Sequence, residues 1–128
     1  MKIRVYYEDT DAGGIVYHAN YLKYCERARS DFFFKEGLTP VIDGAHFVVR
    51  KMDCDFLSSA FFADELDVSS SIDVINRASF IMIQEIRKDD KLLFKTKVTL
   101  VLAKDGKPKK ISENIKDMLQ SLFAKIDK

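Results

Sequence analysis

The spacing of apolar residues changes once along this chain, and that change constrains the fold more than any other feature. From about Ala19 to Glu36, apolar residues fall at Tyr21, Tyr24, Cys25, Ala28, Phe32 and Phe33. They stand three or four apart, as one face of a helix requires. Gly37 is suited to the left-handed residue that ends such a helix. Beyond it the period becomes two for most of the chain, with strands predicted over residues 45–57, 65–75, 79–87 and 91–103. In the last of these Phe94, Thr96, Val98, Leu100 and Leu102 share one face, and Lys95, Lys97, Thr99 and Val101 the other. A first strand is predicted over residues 2–8, with Ile3, Val5 and Tyr7 on one side. Lys88-Asp89-Asp90 reads as a hairpin turn and Asp105-Gly106-Lys107-Pro108 as a break. Ile111, Ile115, Met118, Leu119, Leu122 and Ile126 then suggest an amphipathic C-terminal helix.

The expected class is therefore α+β: a five-stranded antiparallel sheet around one long helix, plus a C-terminal helix, in a single domain over residues 1–128. A helix of about eighteen residues is ~27 Å long and covers one face of such a sheet, not both. Apolar residues left over, with Phe61 and Phe62 in a loop, point to a second subunit, so a homo-oligomer is expected.

Composition narrows the function. The chain has 21 Lys plus Arg against 20 Asp plus Glu, so no overall field draws nucleic acid or an anionic membrane. Any anion site is local. No apolar run reaches the ~20 residues of a membrane helix, and none has the form of a signal peptide. With Cys25 and Cys54 as its two cysteines, the chain reads as a complete cytoplasmic one without a disulfide framework. No HxxxE or HxH pattern suggests a metal.

The chemistry concentrates in residues 6–29, YYEDTDAGGIVYHANYLKYCERAR. Asp9 and Asp11 flank a turn, Gly13 and Gly14 let the backbone approach a ligand closely, and the helix that follows begins near Tyr17 and His18. A carboxylate in such a turn either makes an Asx-turn or faces a cleft as a base or nucleophile. The first amides of a helix lack internal partners and carry the positive end of its dipole. His18 has an imidazole near neutrality, which either handles a proton or simply starts the helix. Tyr7 either reaches Asp11 with its hydroxyl or packs on a strand. Cys25 lies on the apolar stripe with no histidine beside it in sequence, so a buried thiol is expected rather than a nucleophile. Glu26, Arg27 and Arg29 read as solvated or interface charges, and His46 as a strand-edge histidine. Arg50 and Lys51, or Lys104, Lys107, Lys109 and Lys110, are candidates for phosphate contact or plain surface. Phe32, Phe33, Phe61, Phe62 and Phe80 either line an apolar tunnel or belong to core and interface.

The combination of DTDAGG, YHANY and a helix start at this spacing resembles the signature of the hot-dog thioesterases of the 4-hydroxybenzoyl-CoA thioesterase family. The likeness is strongest to its bacterial acyl-CoA thioesterases associated with the Tol-Pal envelope system, and it extends through FVVRKMDCDFLSSAFFADELDV, residues 47–68, to about residue 103. Ser58-Ser59 stands near a place where that family commonly has proline, which bears on loop shape. The resemblance implies a hot-dog fold, a dimer or tetramer, and hydrolysis of acyl-CoA with Asp11 as nucleophile or general base. By the same resemblance the His18 amide polarises the carbonyl; read from the residues themselves, Tyr7 and the His18 side chain are candidates to assist, and Gly13, Gly14, Tyr17, Arg50 and Lys51 are candidates to meet the substrate. Coenzyme A would be part of the substrate and no cofactor would be kept, with acyl carrier protein a further partner. Two other readings share the fold: a non-catalytic acyl-carrier or envelope-complex binding module, and an acyl-CoA hydratase or dehydratase. The histidine and proline-rich loop of the fatty-acid dehydratases are missing here.

Overall fold

Helix α1 (His18–Lys35) forms where the stripe lies. It buries Tyr21, Tyr24, Cys25, Ala28 and Phe33, while Phe32 is half-buried. Its end is a Schellman turn: Gly37 adopts φ +72°, its N–H donates to the Phe34 carbonyl (3.0 Å), and the Leu38 N–H donates to Phe33 (2.9 Å).

The computed structural model describes residues 1–123. Its strands are β1 (Lys2–Arg4), β2 (Val41–Ile42), β3 (Ala45–Phe56), β4 (Glu65–Ile75), β5 (Ser79–Lys88), β6 (Lys91–Lys104) and β7 (Lys107–Pro108), and a second helix, α2, spans Glu113–Phe123. The long strands match the predicted segments within two residues. The sheet has seven strands instead of five, because the turns at Asp43-Gly44 and Asp105-Gly106 each close a two-residue hairpin onto a long strand. The first strand is shorter than expected. After Arg4 the chain leaves the sheet and makes a 3-10 turn over Tyr7–Asp9, closed by the Asp9 carboxylate accepting the Tyr6 N–H at 2.9 Å.

The order across the sheet is β1-β4-β5-β6-β3-β2, all antiparallel. The last three long strands form a meander, whereas β3 lies beyond β6. Register shifts at Val49/Lys51, Ile72/Val74 and Ile86/Arg87 bend the strands, as bulges do, so the sheet can wrap a helix.

Both helices cover the same face. The expected face of β6 is buried from Phe94 to Leu102, each large side chain there being worth about 1.5–3 kcal/mol. Beneath α1 the core divides into two clusters: Tyr21, Tyr24, Cys25, Leu66, Ile86 and Phe94 at the helix start, and Phe33, Phe80, Met82, Val98 and Leu102 at its end, the latter closed by Ile115, Leu119 and Phe123 of α2. Ile126 lies outside the described residues. The dividing line is a polar row set by strand register, Ser70 opposite Gln84, Gln84 opposite Thr96 and Thr96 opposite Cys54. Gln84 is fully buried and satisfied: its amide donates to the Cys25 carbonyl and the Ser70 hydroxyl, both at 2.9 Å, and its oxygen accepts from Arg29 at 2.8 Å. Arg29 is thus no solvated charge; it lies on the stripe, four residues after Cys25, and reaches under the helix. The centre of the outer face carries cross-strand charge pairs, Lys95 with Glu85 (3.8 Å) and Lys97 with Asp73 (3.6 Å). No helix among the described residues is long and apolar enough to cross a membrane.

Candidate active site

The segment between the 3-10 turn and α1 folds into a tight hairpin because Thr10 pairs with Val16 across a turn that two glycines make possible. The Asp11 N–H donates to the Ile15 carbonyl (2.9 Å) and the Gly14 N–H to the Asp11 carbonyl (3.0 Å). Gly14 adopts φ +82°, a region open to glycine at little cost. The exposed Asp11 carboxylate accepts the Gly13 N–H through Oδ1 at 2.8 Å. It makes the Asx-turn, and Oδ2 has no partner among the described residues.

The chain then enters α1 through Tyr17, an extended residue whose N–H donates to the Asp9 carbonyl (2.9 Å) and whose side chain provides no cap. Asn20 bonds back with its backbone N–H to Tyr17 (2.8 Å) and with its side chain to the Asp9 carbonyl (2.9 Å). Among the described residues the His18 and Ala19 amides have no acceptor, so the helix start presents free donors at the positive end of its dipole. The His18 ring lies 4.6 Å from Tyr17 and edge-on to Phe56 at 6.0 Å. Phe56 and the stacked pair Tyr21–Phe94 (5.3 Å) continue this aromatic wall inward.

Asp11, Gly13, Gly14, Tyr17 and His18 therefore sit together at one end of α1. Tyr7 lies in the 3-10 turn rather than on a strand face; the residue is 80% exposed, its ring meets Phe62 edge-on at 6.0 Å, and it makes no hydrogen bond to Asp11. Arg50 and Lys51 are elsewhere. Arg50 lines a groove of about 520 Å³ on the outer face with His46, Val48 and Lys107, whereas Lys51 is 3.9 Å from Asp53. Four clefts among the described residues, including this groove, have neither Asp11 nor His18 in their lining. Cys25 is fully buried, and its thiol is pushed up to about 12, chiefly by burial, which leaves it a packing residue. Among the described residues no group of three or more His, Cys, Asp or Glu side chains could hold a metal ion.

Two features of the site are not legible in its motif. Tyr21 lies on the apolar stripe, and its hydroxyl accepts the Ala60 N–H at 3.0 Å. Phe56, at the end of β3, forms the wall beside His18. Both contacts are long-range, and no local pattern announces them.

The fold, an antiparallel sheet wrapped around one long helix, has counterparts among known proteins. Residues 13–95 match the family model described as thioesterase superfamily, and the chain belongs to that superfamily. It is similar to an acyl-CoA thioesterase YbgC of Helicobacter pylori, 48% identical over 86 residues, which are 67% of this chain and 65% of that relative. The chain thus aligns with less than two-thirds of that relative's length. It is also 35% identical over 121 residues to an acyl-CoA thioester hydrolase YbgC of Escherichia coli O157:H7, covering 88% of this chain and 89% of that one. Among solved structures, a probable thioesterase from Bartonella henselae superposes with a TM-score of 0.82 at 34% identity, covering 88% of this chain and 97% of that one. The fold is the expected hot-dog, α+β fold.

Proposed function

We propose that this chain is an acyl-CoA thioesterase that cleaves the thioester to free acid and coenzyme A. One observation carries the reading: a carboxylate with an uncommitted oxygen and a helix start with free amides stand at the same end of α1. Hydrolysis needs a group that attacks or deprotonates water and donors for the oxygen that becomes negative. As a base, Asp11 removes a proton from water while the water oxygen adds to the carbonyl carbon. The His18 N–H stabilises the oxyanion, the C–S bond then breaks, and the departing thiolate takes up a proton. As a nucleophile, Asp11 adds to the carbonyl carbon and the C–S bond breaks, releasing the coenzyme A thiolate to take up a proton; water then opens the mixed anhydride to the free acid and restores the carboxylate. Both routes use one carboxylate, and one such amide donor is worth about 10²–10³ in rate. Gly13, Gly14 and Tyr17 then border the thioester, and the Tyr7 hydroxyl and the His18 imidazole act on water or substrate. No cofactor enters the reaction.

We assign Arg50 and Lys51 to the coenzyme A phosphates through a second copy of the chain. β2 pairs β3 only at Ala45 and His46, so the edge from Phe47 to Phe56 is open, and a long open edge favours pairing with another chain. Arg50 precedes Phe56, the neighbour of His18, by about 20 Å of strand at ~3.3 Å per residue. A copy paired antiparallel along this edge would carry its own Arg50 and Lys51 toward the first copy's His18. A homodimer, or a homotetramer built from it, would then complete the site. Acyl carrier protein and an association with the Tol-Pal system are proposed on resemblance alone. Thiol release from short aliphatic, long aliphatic and aromatic acyl-CoAs tests the activity, and sedimentation tests the assembly. No turnover on any of them would favour the binding-module or hydratase reading.

A further inference from the structure

The loop between β3 and β4 is held against the catalytic hairpin although its own large side chains do little to fix it. Phe61 and Phe62 are 52% and 57% exposed, and Ala60 is the residue of the loop that is fully buried. Polar contacts fix it instead. The Ala60 N–H donates to the Tyr21 hydroxyl (3.0 Å), the Ala60 carbonyl accepts the Val16 N–H (2.9 Å), and Phe61 bridges to Ile15. At the far end of the loop Asp64 accepts the Phe61 N–H (2.9 Å) and the Lys88 ammonium (2.8 Å).

Tyr21 belongs to the first turns of α1, three residues after His18, and it is buried with its ring stacked on Phe94. Its hydroxyl therefore joins the helix that presents the His18 amide to the loop that backs Ile15 and Val16, and these close the hairpin bearing Asp11. We infer that Tyr21 is a positioning residue for thioester hydrolysis: through the Ala60 amide it sets the distance between the Asp11 carboxylate and the His18 N–H without touching substrate. This rests on the thioesterase reading above. Displacing reacting groups by ~1 Å can cost about a hundredfold in rate, whereas substrate affinity depends on surfaces this contact leaves alone.

Tyr21→Phe removes the hydroxyl and keeps the ring. The expected result, measured on the full chain with its best acyl-CoA below the melting temperature, is a kcat lowered about 10- to 100-fold with KM within about twofold of wild type. Amide exchange at Ala60 and Val16 should accelerate in the same variant, a readout independent of turnover. Should Tyr21→Phe melt at the assay temperature, Asp64→Ala loosens the same loop from its other end and should show the same split. Wild-type kcat in a folded Tyr21→Phe, or a rise in KM alone, would overturn the positioning role. Unchanged exchange at Ala60 would do so too. Absence of turnover by the wild type would overturn the thioesterase reading itself, and the positioning role of Tyr21 with it.

Discussion

Asp11 and Gly13 close on each other: the carboxylate accepts the Gly13 N–H at 2.8 Å, and a Cβ added to Gly13 would lie 3.3 Å from the same Oδ1. A methyl group there has only the carboxylate to push. Gly13→Ala is expected to shift Asp11 and lower kcat by about tenfold or more. Gly14 differs, for its added Cβ would meet nothing within 4 Å while its φ of +82° disfavours an L side chain. Gly14→Ala should cost about 1–2 kcal/mol of stability and less activity than Gly13→Ala. Kinetics beside thermal melts of both variants separate the two effects.

The Gln84 side chain is the hub of the polar row, holding Arg29, the Cys25 carbonyl and Ser70 at once. Gln84→Leu keeps the bulk and leaves a largely buried guanidinium without its acceptor. A loss of about 2–4 kcal/mol is expected, since an orphaned buried charge or donor costs more than a hydrogen bond contributes. Ser70→Ala, which removes one contact, should cost about 0.5–1.5 kcal/mol. Urea unfolding measures both, and equal losses would contradict the hub role.

Acid should weaken the loop anchor. Burial opposes ionisation of Asp64, but the Lys88 ammonium and the Phe61 N–H outweigh it and hold the carboxyl below its ordinary value. A depressed folded pKa contributes stability above the unfolded value, near about 3.9, and loses it as pH falls through the folded value. The advantage of wild type over Asp64→Ala should therefore be full at pH 7 and shrink below about pH 4. Melting temperatures of both across that range give the test, and a gap that widens on acidification would contradict it.

Cys25 should be chemically silent. With its thiol fully buried and raised to about 12, it should resist thiol reagents at pH 8 until the chain unfolds, while the partly exposed Cys54 reacts first. Cys25→Ala should keep wild-type kcat. Loss of turnover in a folded Cys25→Ala would give the thiol a role that its surroundings argue against.

Periodic features were legible in the sequence because each has a local physical cause. The alternation of β6 reflects one face on the core and one in water, and Gly37 is where a Schellman turn needs positive φ. The Asp11 hairpin and the helix start were readable from DTDAGG and YHANY. Tyr7 misled because Ile3, Val5 and Tyr7 alternate as a strand would, while the Asp9 carboxylate, bonding the Tyr6 N–H, turns the chain before Tyr7. Arg29 was read as a solvated or interface charge although its place on the stripe pointed inward; a charged residue there finds its partner in Gln84, 55 positions away. The pairing of β3 with β6 and the Tyr21–Ala60 contact also depend on distant parts of the chain, which spacing along the sequence does not encode.

The central claim is that the Asp11 carboxylate performs the hydrolysis. Its most direct test is the rate of thiol release from the best acyl-CoA by wild type and Asp11→Asn, with folding and assembly matched. Asparagine keeps an oxygen for the Gly13 N–H but supplies neither base nor anionic nucleophile, so the rate should fall by at least about a hundredfold. An Asp11→Asn enzyme as fast as wild type would contradict the account.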